Sequence, residues 1–184
     1  VVALAESLEL ALLNIEPAHE IQRAVELLRA LVDKDGNNFE AIFWLAYCYV
    51  YEVLSQEALE SALELCEIVS QSTARDALRA GALMLRATAL RDLGRKPAPV
   101  EELRQSIALA PDWISNRQLL AQVLLESGDA EGAAAHLQQA LLAPAVSPVG
   151  LSIEEARFEE LVTARAGAAV RTHIREQLER APLG

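Results

Sequence analysis

Gly94 and Gly128 stand 34 residues apart, and the interval recurs from Ala87 to Ala121, Leu90 to Leu124, Leu103 to Leu137 and Ser106 to Ala140. Self-similarity at this period constrains the chain more than its composition does. A unit of that size cannot bury its own apolar face, so it must stack on a neighbour, and the fold becomes an array. Shorter spacings say what the unit is made of. Nearly every segment carries apolar residues three and four apart, without the two-residue alternation of a strand, so the units are helical.

The breaks predict helices over 2–15, 18–33, 38–53, 55–70, 73–93, 98–109, 113–126, 130–142 and 152–180. Asp35, Gly36, Asn37 and Asn38 form a turn cluster. Gly94 and Gly128 follow apolar stripes, where a left-handed cap costs glycine least. Asp112 and Asp129 are candidate N-caps, and Ser152 with Glu155 has the spacing of a capping box. Residues 143–150 are the longest non-helical linker.

In residues 114–147 the periodic positions read Leu120-Ala121, Leu124, Gly128, Ala133, Leu137, Ala140 and Pro144. In 80–113 they read Leu83, Ala87, Leu90, Gly94, Leu103, Ser106 and Pro111; in 39–72, Ile42, Leu45-Ala46, Tyr49, Ala58, Ala62 and Leu65; in 5–38, Leu8, Ala11-Leu12, Ile15, Ala24, Leu28 and Leu31. This pattern resembles the tetratricopeptide repeat family over about 140 residues. Leu8, Ile42, Leu83 and Arg117 stand where the family has an aromatic, Pro99 replaces a small residue, and the first two repeats lack a closing proline. The resemblance implies an all-α, right-handed superhelix of antiparallel helix pairs. The stripe Phe158, Leu161, Val162, Ala169, Val170, Ile174 and Leu178 makes 152–180 a long capping helix, with Ala166-Gly167-Ala168 as a place for a bend. Residues 1–184 then form one repeat domain. Between the second and third repeats the spacing is seven residues longer, read as a long helix from Thr73 to Leu93 or, alternatively, a longer loop.

The chemistry of an enzyme is missing from the sequence. His19, His136 and His173 follow no metal spacing, and Cys48 and Cys66 form no CxxC pair, so neither metal nor cofactor is expected. The segment 128–132 has two glycines but falls at a turn between repeat helices. The pairs Glu101-Glu102, Glu154-Glu155 and Glu159-Glu160 suit helix first turns or polar faces, and no constellation able to carry catalysis appears.

Net charge is −11, of which residues 39–72 hold −6 with no base, while residues 73–113 come to +2. An acidic chain is repelled by phosphate backbones, so nucleic acid is not an expected partner. The acidic surface reads either as a solubilising face or as a field for a basic partner. The longest apolar run, 41–51, is shorter than the roughly 18–20 residues of a membrane span. The opening residues lack a basic flank or cleavage pattern; with two cysteines and no disulfide framework, the expectation is a cytoplasmic protein, a removed leader staying open.

In the family the first helix of each pair lines a concave surface where peptides dock. The resemblance therefore implies a peptide-binding surface of Glu6, Glu9 and Leu13; Glu40, Phe43, Tyr47, Val50 and Tyr51; Met84, Thr88 and Arg91; and Gln118 and Gln122. Six of the eight aromatics lie within residues 39–51. Tyr49 joins the packed stripe of Ile42 and Leu45. Phe43, Tyr47 and Tyr51 form a second stripe, open to three readings: it binds a partner's peptide, it is covered by the long third-repeat helix or the C-terminal helix, or it self-associates. Repeats that grip heat-shock chaperone tails present inward Lys, Arg and Asn; Glu9, Leu13, Tyr47 and Met84 occupy those positions, so that role is not expected. The expected function is a non-enzymatic adaptor binding a basic or amphipathic peptide or helix in an acidic, aromatic-lined groove. The alternatives are an assembly or dimerisation platform, homo-oligomeric and with its groove filled by its own C-terminal helix, and a chaperone for a basic client.

Overall fold

A computed structural model describes residues 17–142. The expected helices over 2–15 and 152–180, and with them Glu6, Glu9 and Leu13, lie outside the described residues. Seven α-helices follow one another: α1 (Pro17–Lys34), α2 (Phe39–Cys48), α3 (Gln56–Ser70), α4 (Asp76–Asp92), α5 (Val100–Leu109), α6 (Ile114–Glu126) and α7 (Ala130–Leu142). A π-helical turn, Tyr49–Val53, continues α2. No strand occurs among the described residues, and successive helices pack in consecutive pairs. This is an all-α, tetratricopeptide-like stack.

Local chemistry sets the ends. Asn38 accepts from the Ala41 amide at 3.1 Å and Ser55 from the Ala58 amide at 3.1 Å, so α2 and α3 start on capped amides. Asp129 caps α7 by accepting from the Gly132 amide at 2.9 Å. Asp112 does not have that role: α6 starts at Ile114, with Trp113 in the capping position and no side-chain cap. Gly94 and Gly128 take positive φ, 64° and 88°. The Arg95 amide then reaches the Leu90 carbonyl, and the Asp129 amide the Leu124 carbonyl, each at 2.9 Å, closing both helices as six-residue caps.

Helix α4 starts at Asp76, three residues later than Thr73. The Ser72 hydroxyl donates to the Val69 carbonyl at 2.7 Å and accepts from the Ala74 amide at 3.1 Å, holding 72–74 in a turn. The longer spacing is thus shared between a loop and a helix four residues longer than α6.

The π turn moves the end of its helix by one residue, while Ala46 to Ala58, Ala87 to Pro99 and Ala121 to Ala133 all stay twelve apart. Ala87 to Gly94 and Ala121 to Gly128 are seven residues each, whereas Ala46 to Leu54 is eight. The Leu54 amide bonds the Tyr49 carbonyl, five residues back, at 3.2 Å, which inserts one residue into the helix. Leu54 itself holds the left-handed position, φ 55°, that glycine fills at the other two turns.

Two cores share α4. Leu78, Ala82, Leu85 and Ala89 pack with α1, α2 and α3. Ala80, Met84 and Ala87 pack with α5, α6 and α7. Alanine and glycine on α4 permit this two-sided burial, because a helix covered on both faces must let its neighbours approach closely.

Candidate functional site: the inner wall of α2, α4 and α6

The first helix of each described pair is α2, α4 or α6. Aromatic rings run along α2 in edge contact. Phe43 and Trp44 have centroids 5.3 Å apart at 74°, Trp44 and Tyr47 5.5 Å at 65°, and Tyr47 and Tyr51 4.8 Å at 53°. Such tilted pairs set the positive ring edge against the negative face.

The ladder leans into α4. A Cβ on Gly81 would lie 2.7 Å from Phe43 Cε2, so the Phe43 ring fills the space this glycine leaves. Tyr51 hydrogen-bonds with Thr88, whose hydroxyl donates to the Met84 carbonyl at 3.0 Å. Burial raises the Tyr47 phenol to about 12, with Tyr51, Glu52 and Cys48 adding smaller electrostatic effects. Burial also raises Tyr51, opposed by the Thr88 hydrogen bond and the Arg91 charge. Both phenols stay neutral donors across the ordinary pH range.

Phe43, Val50, Met84 and Thr88, read from the sequence as wall residues, are buried in the stack. Val50 belongs to the first core and Met84 to the second, beside Trp113, Ile114 and Leu119. Tyr47 is half-buried and Tyr51 is 38% exposed. Arg91 is half-buried and pairs with Asp92 at 2.9 Å. Gln118 is half-buried; Gln122 is exposed and donates to Glu126 at 3.3 Å. Trp44, half-buried and in contact with both Phe43 and Tyr47, was missed as a wall residue although it stands in the same aromatic run. Of the expected surface, Glu40, Tyr47, Tyr51, Arg91, Gln118 and Gln122 keep some exposure, and Trp44 stands in ring contact with Tyr47.

Tyr49 sits in the packed stripe, 6% exposed, and accepts a 2.7 Å hydrogen bond from Arg29 Nε. This ties α1 to the π turn.

The acidic run of residues 39–72 has a structural destination. Glu40 pairs with Arg75 at 2.9 Å, Glu67 with Arg86 at 3.1 Å, and Glu60 with Arg95. Arg86 also reaches Glu102 at 3.4 Å. Half of the run's six acids therefore meet arginines of residues 73–113, matching charges across a seam inside the stack.

Arg117, at the position where the family has an aromatic, donates to the Pro111 carbonyl at 3.2 and 2.9 Å and to Gln139 at 2.7 Å. Asn116 is fully buried and donates to the Ala110 carbonyl at 3.1 Å. Cys48 and Cys66 are buried free thiols, pushed to about 12 by burial first and, for Cys48, by Glu52. Among the described residues no three His, Cys, Asp or Glu side chains group to hold a metal, and no helix is long and apolar enough to cross a membrane.

No protein-family model matches the chain, and no curated protein matches it by sequence. Solved structures match in fold. MamA 41-end from Desulfovibrio magneticus RS-1 has a TM-score of 0.59 and 21% identity, over 76% of this chain and 72% of that one. MamA MSR-1 C2 gives 0.55 and 21%, over 76% and 73%. A further crystal structure of MamA gives 0.57 and 17%, over 89% of this chain and 93% of that one. At these identities the likeness carries the fold, a tetratricopeptide-like array of helix pairs.

Proposed function

We propose that this chain is a non-enzymatic protein-interaction scaffold whose inner wall takes an amphipathic helix or peptide through apolar anchors. The half-open aromatic face of Trp44, Tyr47 and Tyr51 carries the reading. Aromatic side chains bring large contact area at low entropic cost and dominate interface energies. The fold likeness to MamA supports a scaffold; the choice of partner rests on the wall alone. Because Glu40, Glu60 and Glu67 are paired within the stack, the partner's apolar anchors matter more than its basic flanks.

The test is a partner identified by crosslinking and titrated against the intact chain, then against Tyr47→Ala/Tyr51→Ala. An affinity loss of at least ~10-fold with helicity unchanged supports the wall, since each truncation at an anchor typically costs more than ~1 kcal/mol. Unchanged affinity rejects it. Self-assembly is a second reading, favoured by Leu142, 86% exposed at the end of α7. Light scattering that stays monomeric across a wide concentration range removes it.

A further inference from the structure

The wall has one face and one edge. Consecutive helices pack as hairpins, so α2, α4 and α6 run in the same direction and end along a common edge. Glu52, at the end of the π turn, and Glu126, at the end of α6, carry no ion pair among the described residues. Three helix C-termini add partial negative charge along that edge. An occupant therefore needs an apolar stripe for the rings and cations beside it.

Residues 163–180 carry this pattern. Val170, Ile174 and Leu178 recur every four residues, as do Tyr47 and Tyr51 on the wall. Arg171 and Arg175 each follow a stripe residue by one, about 100° round a helix, which places them beside the stripe; Glu179 follows Leu178 in the same way at the far end of that row, and Glu176 falls on the opposite face. The stretch holds four arginines against two glutamates, in a chain whose net charge is −11. Reach is sufficient: residues 143–151, extended at ~3.3 Å per residue, cover ~30 Å, while stacked helices sit ~8–10 Å apart.

We propose that residues 163–180 of this same chain seat on Trp44, Tyr47 and Tyr51, with Arg171 and Arg175 over the edge marked by Glu52 and Glu126. The proposal rests on the reading that this wall is the binding surface. A tethered segment has an effective concentration of order millimolar, so an outside partner must compete with it, and its apparent affinity falls by the fraction of wall that is open.

The experiment uses the full chain with a photoreactive benzophenone side chain in place of Tyr47. Light and heavy-isotope protein are mixed in equal amounts, irradiated, and read by mass spectrometry. The expected result is same-isotope links from position 47 into 163–180. Ile174→Glu should cut their yield by ~10-fold without loss of helicity, because an unpaired carboxylate does not enter an aromatic face. Links into residues 1–16, light-to-heavy links that mean a second copy, or no intramolecular link overturn the proposal. If those links fail while Tyr47→Ala/Tyr51→Ala still loses an outside partner, the wall stands and self-occupancy falls. If the links form while that variant binds the partner normally, self-occupancy stands and the scaffold reading of this wall falls.

Discussion

A Cβ at Gly81 would meet Phe43 Cε2 at 2.7 Å, closer than carbon atoms pack, so these two residues are fitted to each other across α2 and α4. Helix propensity alone favours alanine at an interior glycine by about 1 kcal/mol. Overpacking a buried ring costs about 1–3 kcal/mol. Gly81→Ala should therefore be neutral to destabilising by about 2 kcal/mol, and adding Phe43→Leu should recover part of the loss. A denaturation double-mutant cycle checks this; strictly additive effects would mean the two residues do not share the space.

Leu54 should be improvable. Its φ of 55° costs a residue with a Cβ roughly 1–2 kcal/mol relative to glycine, and its side chain, 59% exposed, returns little burial. Leu54→Gly is expected to raise stability by about 0.5–1 kcal/mol, the gain being trimmed by glycine's greater unfolded-state entropy. A shift of the urea midpoint to lower concentration would contradict the strain.

Arg86 joins three helices by pairing with Glu67 on α3 and Glu102 on α5. Its side chain is 31% exposed, so solvent screens the pairs in part. Arg86→Met should cost about 1 kcal/mol at low ionic strength and less in high salt. A loss that does not change with salt would assign the effect to packing of the arginine stem.

Stability should decline in alkali. Unfolded, the two thiols lose protons near 9.0 and the tyrosines near 10.0; folded, Cys48, Cys66 and Tyr47 hold theirs to about 12. The folded state binds more protons in that window, so the stabilisation is complete below pH ~9 and is lost as pH rises toward 12. Urea midpoints at pH 8, 10 and 11 measure the slope, and Cys48→Ala/Cys66→Ala should flatten it. The same burial predicts that neither thiol reacts with a maleimide at pH 8 until the chain is unfolded.

Much of the helical order was legible because its signals are local. Gly94 and Gly128 marked two left-handed turns, and Asp129 a cap, through residues whose preferences do not depend on neighbours. Leu54 gave no such signal: leucine is an ordinary helix residue, and only the eight-residue count from Ala46 betrays the turn. The start of α4 was misplaced because Ser72 serves two bonds in a turn, a tertiary choice over a sequence equally fit for helix. Phe43, Met84 and Thr88 looked like an open wall because the repeat pattern gives position along a helix, not the distance between helices. That distance depends on Gly81 and the alanines of α4, whose small size permits close approach without stating what fills it. The acids of residues 39–72 were visible, and so were the bases that follow; their pairing across the seam required three dimensions.

The π turn works as a shim. It lengthens its helix by one residue and shortens the following loop by one, so Ala46 and Ala58 keep the twelve-residue spacing of Ala121 and Ala133 and present their packing faces to the same neighbours. Moving one residue from the turn into the loop after it, with glycine at the turn, should convert the hairpin to the geometry of its siblings and swing Tyr51 away from Thr88. The trade between helix and loop is thus made beside the aromatic ladder, where one residue re-aims a ring and leaves the remaining helices in register.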